Sequence, residues 1–144
     1  MTTHAERRTL PYTPEQLFHI VADVKRYPEF LPWCMSARIT REESNVFYAD
    51  LVIGYKMIRE KYGSKVTLKE PDHIHVEYLS GPMKYLSNHW KFIREDDGSC
   101  TIDFFVDFEF RSIILQKAIG IVFNEAVQKM VDAFEARADI LYTT

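Results

Sequence analysis

From Cys34 to Phe110 the chain alternates apolar and polar residues, broken only by the turn-forming groups REESN, EPD, SGPM and EDDGS. Period-two alternation punctuated by Gly, Pro, Asn and Asp is the pattern of an antiparallel meander, and it leaves few folds open. Strands are expected near 34–41, 45–55, 58–69, 73–80, 85–95 and 99–110, with HAERRTL as a first strand at a sheet edge. Between residues 55 and 58 the stretch GYKMI offers only Gly54 as a turn signal.

Two helical patterns flank the meander. In TPEQLFHIVADV, Thr13 precedes Pro14 at a first helical position and Gln16 follows three after the cap, a capping box ahead of an amphipathic run. A helix over about 14–24 is expected, and KRYPEF adds one short turn before Pro32 stops it. From Ser112 onward, Leu115, Ile119, Val122, Ala126, Met130 and Leu141 recur at helical spacing. Thirty residues of helix span about 45 Å, enough to cross a whole sheet.

Residues two apart on a strand share a face, so parity sorts the sheet. Cys100, Ile102, Phe104, Val106, Phe108 and Phe110 oppose Thr101, Asp103, Asp107 and Glu109; Ile74, Val76 and Tyr78 oppose His73, His75 and Glu77; Leu86, Asn88, Trp90 and Phe92 oppose Ser87, His89 and Lys91. One face is therefore rings and branched aliphatics, with Asn88, Ser64 and tyrosine hydroxyls as its few polar atoms. Catalysis by acid, base or nucleophile needs titratable groups that converge on one pocket, and by parity nearly every His, Asp, Glu and Lys of the sheet points the other way. The pattern fits two interiors, a filled core or a cavity for something apolar.

The 144 residues suit a single domain over 1–144. A formal charge of -3 with basic residues scattered along the sequence gives nucleic acid no support, and no DNA partner is expected. Cys34 and Cys100 form no CxxC or Cys/His cluster and read as reduced thiols. With no apolar core in MTTHAERRTL and no spanning run, the expected location is cytoplasmic, with any membrane contact peripheral. His73, His75 and His89 share the outer face without a carboxylate of fixed geometry, so no metal site is assigned.

The stretches YPEFLPWC, LSGPMKYLSNHWKF, FVDFEFRS and MVDAFEARADILY resemble the coenzyme Q-binding START-domain family of the polyketide cyclase/dehydrase superfamily, which also contains a ribosome-association toxin branch. Met83 departs from the Phe common in relatives after Gly-Pro. The resemblance implies an α+β helix-grip fold, START-like and Bet v 1-like, with a curved seven-stranded antiparallel sheet wrapped around the long C-terminal helix. It further implies a non-catalytic protein that holds ubiquinone or a similar prenylated lipid as bound ligand and supports respiration, with no catalytic cofactor. The alternatives are association with the large ribosomal subunit, as in the toxin branch, and, behind that, a cyclase-type enzyme.

Candidate ligand-binding residues are Phe30, Leu31 and Trp33 at the proline-flanked corner, Tyr55, and the interior set Tyr78, Trp90, Phe104, Val106, Phe108, Ile119 and Phe123. Met57, Met83 and Tyr85 are candidates for the rim. Pro28 and Pro32 stiffen the corner, which reads either as a rim of the opening or as a plug fixing helix to sheet. The indole N–H of Trp90 needs a buried acceptor, which Asn88 or a quinone carbonyl supplies.

Overall fold

The computed structural model describes residues 2–31, 33–55 and 58–142. The first strand, β1, runs Thr2–Leu10, followed by helix α1 (Pro14–Ala22) and a 3-10 segment, Val24–Glu29. The meander follows as β2 (Cys34–Glu42), β3 (Val46–Tyr55), β4 (Ile58–Lys69), β5 (His73–Ser80), β6 (Met83–Arg94) and β7 (Cys100–Phe110), and helix α2 (Ile113–Tyr142) ends the fold. All seven strands form one antiparallel sheet in the order β1-β7-β6-β5-β4-β3-β2, so β1 returns to pair with the last strand and lies at an edge.

The capping box forms as expected: the Gln16 N–H donates to Thr13 Oγ1 at 3.1 Å, and the Thr13 N–H donates to Gln16 Oε1 at 2.9 Å. Leu17, Phe18, Ile20 and Val21 then fall on the buried face of α1, and Phe18 meets Phe92 edge-on at 5.6 Å, closing one end of the sheet. After α1, the Tyr27 carbonyl accepts from the N–H groups of Phe30 and Leu31. That tight turn delivers the chain to β2, where the Gly54 N–H donates to the Trp33 carbonyl at 2.9 Å and ties the corner to β3.

Helix α2 crosses the inner face of the curved sheet. Phe123, Val127, Met130, Phe134 and Ala138 keep its buried stripe at spacings of three and four. Its first turns emerge: Ile113, Ile114 and Ile121 are 73%, 80% and 85% exposed. Irregular registers at Cys34/Ser36, Ile39/Arg41, Gly63/Ser64 and Met83/Tyr85 bend the strands around the helix.

Two expectations need correction. Strand β6 begins at Met83 rather than residue 85, because a register irregularity between Met83 and Tyr85 lets the residue after Pro82 rejoin the ladder opposite Phe110. And ionisable residues are not confined to the outer face. On β1, Glu6 and Arg8 lie on the side crossed by α2, where Arg8 pairs with Glu6 at 2.8 Å, Asp132 at 2.9 Å and Glu135 at 3.1 Å. The edge strand meets the polar flank of the helix there, so charge is matched by charge, outside the cavities described next.

Candidate functional site

The inner face encloses two adjoining hollows. The larger, about 170 Å³, is walled by Trp33, Ile53 and Met83 at the strand ends, Leu86, Phe104, Val106 and Phe108 from β6 and β7, and Ile119, Phe123 and Val127 from α2. The smaller, about 90 Å³, is walled by Val21, Tyr27, Leu31, Leu51, Ile74, Trp90 and Phe134. Trp33, Tyr62, Val76, Asn88 and Met130 line both and form the partition between them. Val76, Leu86 and Val106 keep accessible surface although they face inward, so their accessible area is cavity wall.

Polar groups in this wall are few. The Trp90 indole N–H donates to Asn88 Oδ1 at 2.9 Å, and Asn88 Nδ2 donates to the Phe105 carbonyl at 2.8 Å. An amide nitrogen carries two hydrogens, so one N–H of Asn88 is left over. The Ser64 hydroxyl donates to the Ala49 carbonyl and the Tyr27 hydroxyl to that of Val21. The Trp33 indole N–H reaches the Ala126 carbonyl of α2 at 3.4 Å. The Tyr62 hydroxyl differs: among the described residues it has no hydrogen-bond partner, yet it retains access to the hollow. Burial raises its pKa far above the usual phenol value. A group so desolvated and still accessible faces an internal space, not bulk water.

Burial also pushes the Cys34 thiol up to about 11 and the Tyr27 hydroxyl well above the ordinary phenol value. The titratable groups of the two walls are therefore protonated at neutral pH. They can donate hydrogen bonds, and none is poised to take a proton. Among the described residues no group of three or more His, Cys, Asp or Glu is placed to hold a metal ion. On the outer face the rings of His73, His75 and His89 stack on one another, and His73 Nε2 lies 3.0 Å from His89 Nδ1.

Of the residues singled out in the sequence, Trp33, Met83, Phe104, Val106, Phe108, Ile119 and Phe123 meet around the larger hollow, and Leu31, Trp33 and Trp90 around the smaller. Three stand elsewhere. The ring of Phe30 turns onto the flank of α2, 5.3 Å from Phe134 and under the Arg137 guanidinium, because the tight turn at Tyr27 aims it away from the sheet. Tyr78 has inward parity, but its hydroxyl accepts the Met83 N–H at 3.0 Å and braces the turn into β6. Tyr85 faces outward, its hydroxyl 3.4 Å from Asp107, because it shares strand parity with Ser87, His89 and Lys91; the register irregularity before it turns only Met83 inward. Met57 and the side chain of Tyr55 lie outside the described residues. Tyr62 and Asn88 were missed as site residues, although inward parity marks both.

Residues 10–135 match the family described as polyketide cyclase / dehydrase and lipid transport. The chain belongs to this family. A relative named ribosome association toxin RatA, from Rickettsia prowazekii, is 42% identical over 96% of this chain and 97% of its own length. Another, named coenzyme Q-binding protein COQ10 homolog B, mitochondrial, from Xenopus laevis, is 32% identical over 96% of this chain and 59% of its own. The solution structure of an 18 kDa Caulobacter crescentus protein covers both chains completely, with 35% identity and a TM-score of 0.81. A START superfamily protein from Mycobacterium smegmatis aligns with a TM-score of 0.83 over 96% of this chain and 98% of its own at 14% identity, a likeness of fold. Seven antiparallel strands around a long terminal helix make this family member a START-like, helix-grip protein. No helix among the described residues is long and apolar enough to cross a membrane.

Proposed function

We propose that the protein is a non-catalytic carrier that holds ubiquinone or a related prenylated lipid in the paired hollows. The observation that carries this reading is the Tyr62 hydroxyl, unpartnered among the described residues, in a wall whose other polar side chains are few. An apolar cavity of about 150 Å³ stays dry and binds a benzene-sized molecule, so a volume of about 170 Å³ suits a substituted ring with the start of its tail. The Tyr62 O–H and the spare Asn88 N–H donate to the carbonyls of that ring. The remainder of a long tail runs out past Trp33 and Ile119, which are only half-buried. The relative named for coenzyme Q binding supports the same ligand class. Organic extraction of the purified protein followed by mass spectrometry is expected to recover a prenylated quinone; recovery of no lipid, with no uptake of added short-chain ubiquinone, sinks the reading. Tyr62→Phe keeps the ring and removes the donor, and is expected to weaken binding by about 1 kcal/mol, roughly fivefold, without loss of fold.

A second reading is association with the ribosome. It is supported by the relative of that name, which matches nearly end to end at 42% identity. Cosedimentation with ribosomal subunits tests it.

A further inference from the structure

The outer face of the sheet carries a charge pattern that the linear sequence conceals. Arg59, Lys61, Lys65 and Lys69 occupy outward positions of β4, at every second residue except where Gly63 and Thr67 intervene. Alternate strand positions are about 7 Å apart, so the comb from Arg59 to Lys69 is about 33 Å long. Lys91 lies beside His73 in the same band, and Arg38 extends the band on β2. Among the described residues two acids share this side of β3–β5: Asp50, and Glu77, which stands opposite Lys65 in the ladder and 4.0 Å from His75. Asp50 is engaged by Arg38 at 3.5 Å and by Lys61 at 3.9 Å, while Arg59, Lys65, Lys69 and Lys91 form no ion pair among the described residues. In a chain of formal charge -3, a cation-rich face of this length reflects placement, not bulk composition.

Beside the comb lies a groove of about 270 Å³ that includes Arg41, Tyr48, Gly63, Leu79 and Ser80. The Arg41 guanidinium sits 5.6 Å from the centre of the Tyr48 ring. An aromatic ring backed by arginine is a platform for an unpaired base. Among the described residues Leu79 and Met35 are the exposed large apolar side chains of β2–β5, at 55% and 47%; the more exposed Ile113, Ile114 and Ile121 stand on α2 instead. A membrane-docking surface joins cations to apolar side chains that insert, and here the most exposed apolar side chains stand on α2, apart from the β4 cations.

We propose that the outer face of β2–β5, centred on the β4 comb, is a docking surface for folded RNA, gripping the phosphate backbone through Lys61, Lys65 and Lys69 and receiving a base on Tyr48. This rests on the ribosome-association reading and names the surface and chemistry that serve it. Each lysine that neutralises a phosphate releases counterions, so binding weakens as salt rises, with a log–log slope that falls by about one for each lysine removed.

The test is fluorescence anisotropy with a labelled RNA hairpin at several salt concentrations. Lys65→Gln/Lys69→Gln is expected to lower affinity at least tenfold and to reduce the salt slope by about two, with an unchanged melting temperature. The control Lys117→Gln/Lys129→Gln, on α2, leaves both unchanged. Equal affinity for wild type and the β4 variant, or equal losses in both variants, overturns the proposal, as does tighter lysine-dependent binding to phosphatidylglycerol vesicles than to the hairpin. Cosedimentation separates this inference from the reading beneath it. If the β4 variant pellets with ribosomal subunits as wild type does, the surface is misassigned and ribosome association stands; if wild type does not pellet at all, ribosome association itself fails.

Discussion

Strand β4 holds two unrelated chemistries at alternate positions. Tyr62, Ser64 and Val66 belong to the enclosed side, where Ser64 and Val66 are almost wholly shielded, while Lys61, Lys65 and Lys69 project from the other. The same division runs along β7, where Phe104 meets Trp90 at 4.6 Å inside and Phe105 pairs in register with His89 outside. The inner residues are held by packing and set what the hollow can enclose. The outer residues cost little to change, so they are free to carry charge for a partner. Stability and ligand capacity should follow one face, and polyanion binding the other.

The sharpest way to break that division is a pair of neighbours. Phe104→Ala removes a buried ring from the cavity wall and is expected to destabilise by about 3–5 kcal/mol, whereas Phe105→Ala should cost about 1 kcal/mol or less. Denaturant titration of both variants decides, and comparable losses erase the distinction.

A smaller effect comes from pH. Desolvation, and then the neighbouring His75, hold His73 and His89 below the usual imidazole value, with Lys91 adding to the repulsion and Glu77 4.0 Å from His75. The unfolded chain therefore takes up protons first, and stability falls as pH drops through the ordinary histidine value of about 6.5 toward the lower folded value. Thermal melts between pH 7 and 5 should show this decline, and His89→Gln should flatten it. A decline just as steep in His89→Gln would place its origin elsewhere. Smallest of all, Lys65→Gln/Lys69→Gln should shift stability by no more than about 0.5 kcal/mol; a larger loss would make those lysines part of the scaffold.

Much of this architecture could be read from the residues. Thr13, Pro14 and Gln16 announce α1 because capping is local chemistry, and parity places Phe104, Val106 and Phe108 on the wall because strand alternation needs no tertiary information. Other features depend on events that parity does not carry. That Met83 faces inward is settled by a register irregularity, and the direction of Phe30 by the turn at Tyr27. The inward charges of β1 are tolerated only because Asp132 and Glu135 arrive from more than a hundred residues away. The lysines of β4 look scattered along the sequence until strand geometry aligns them. Tyr62 shows inward parity, but its lack of a partner emerges only once every neighbour is in place.

The central claim is that the inner face encloses a hollow able to take a ligand. Trp33 and Trp90 line it, and they are the two tryptophans of the chain, so the intrinsic tryptophan fluorescence reports on the cavity wall. Titration with short-chain ubiquinone should give saturable one-to-one quenching, and Val106→Phe, which fills the larger hollow from its wall, should abolish it while the protein remains folded. Quenching that grows linearly without saturation, and to the same extent in Val106→Phe, would contradict the account.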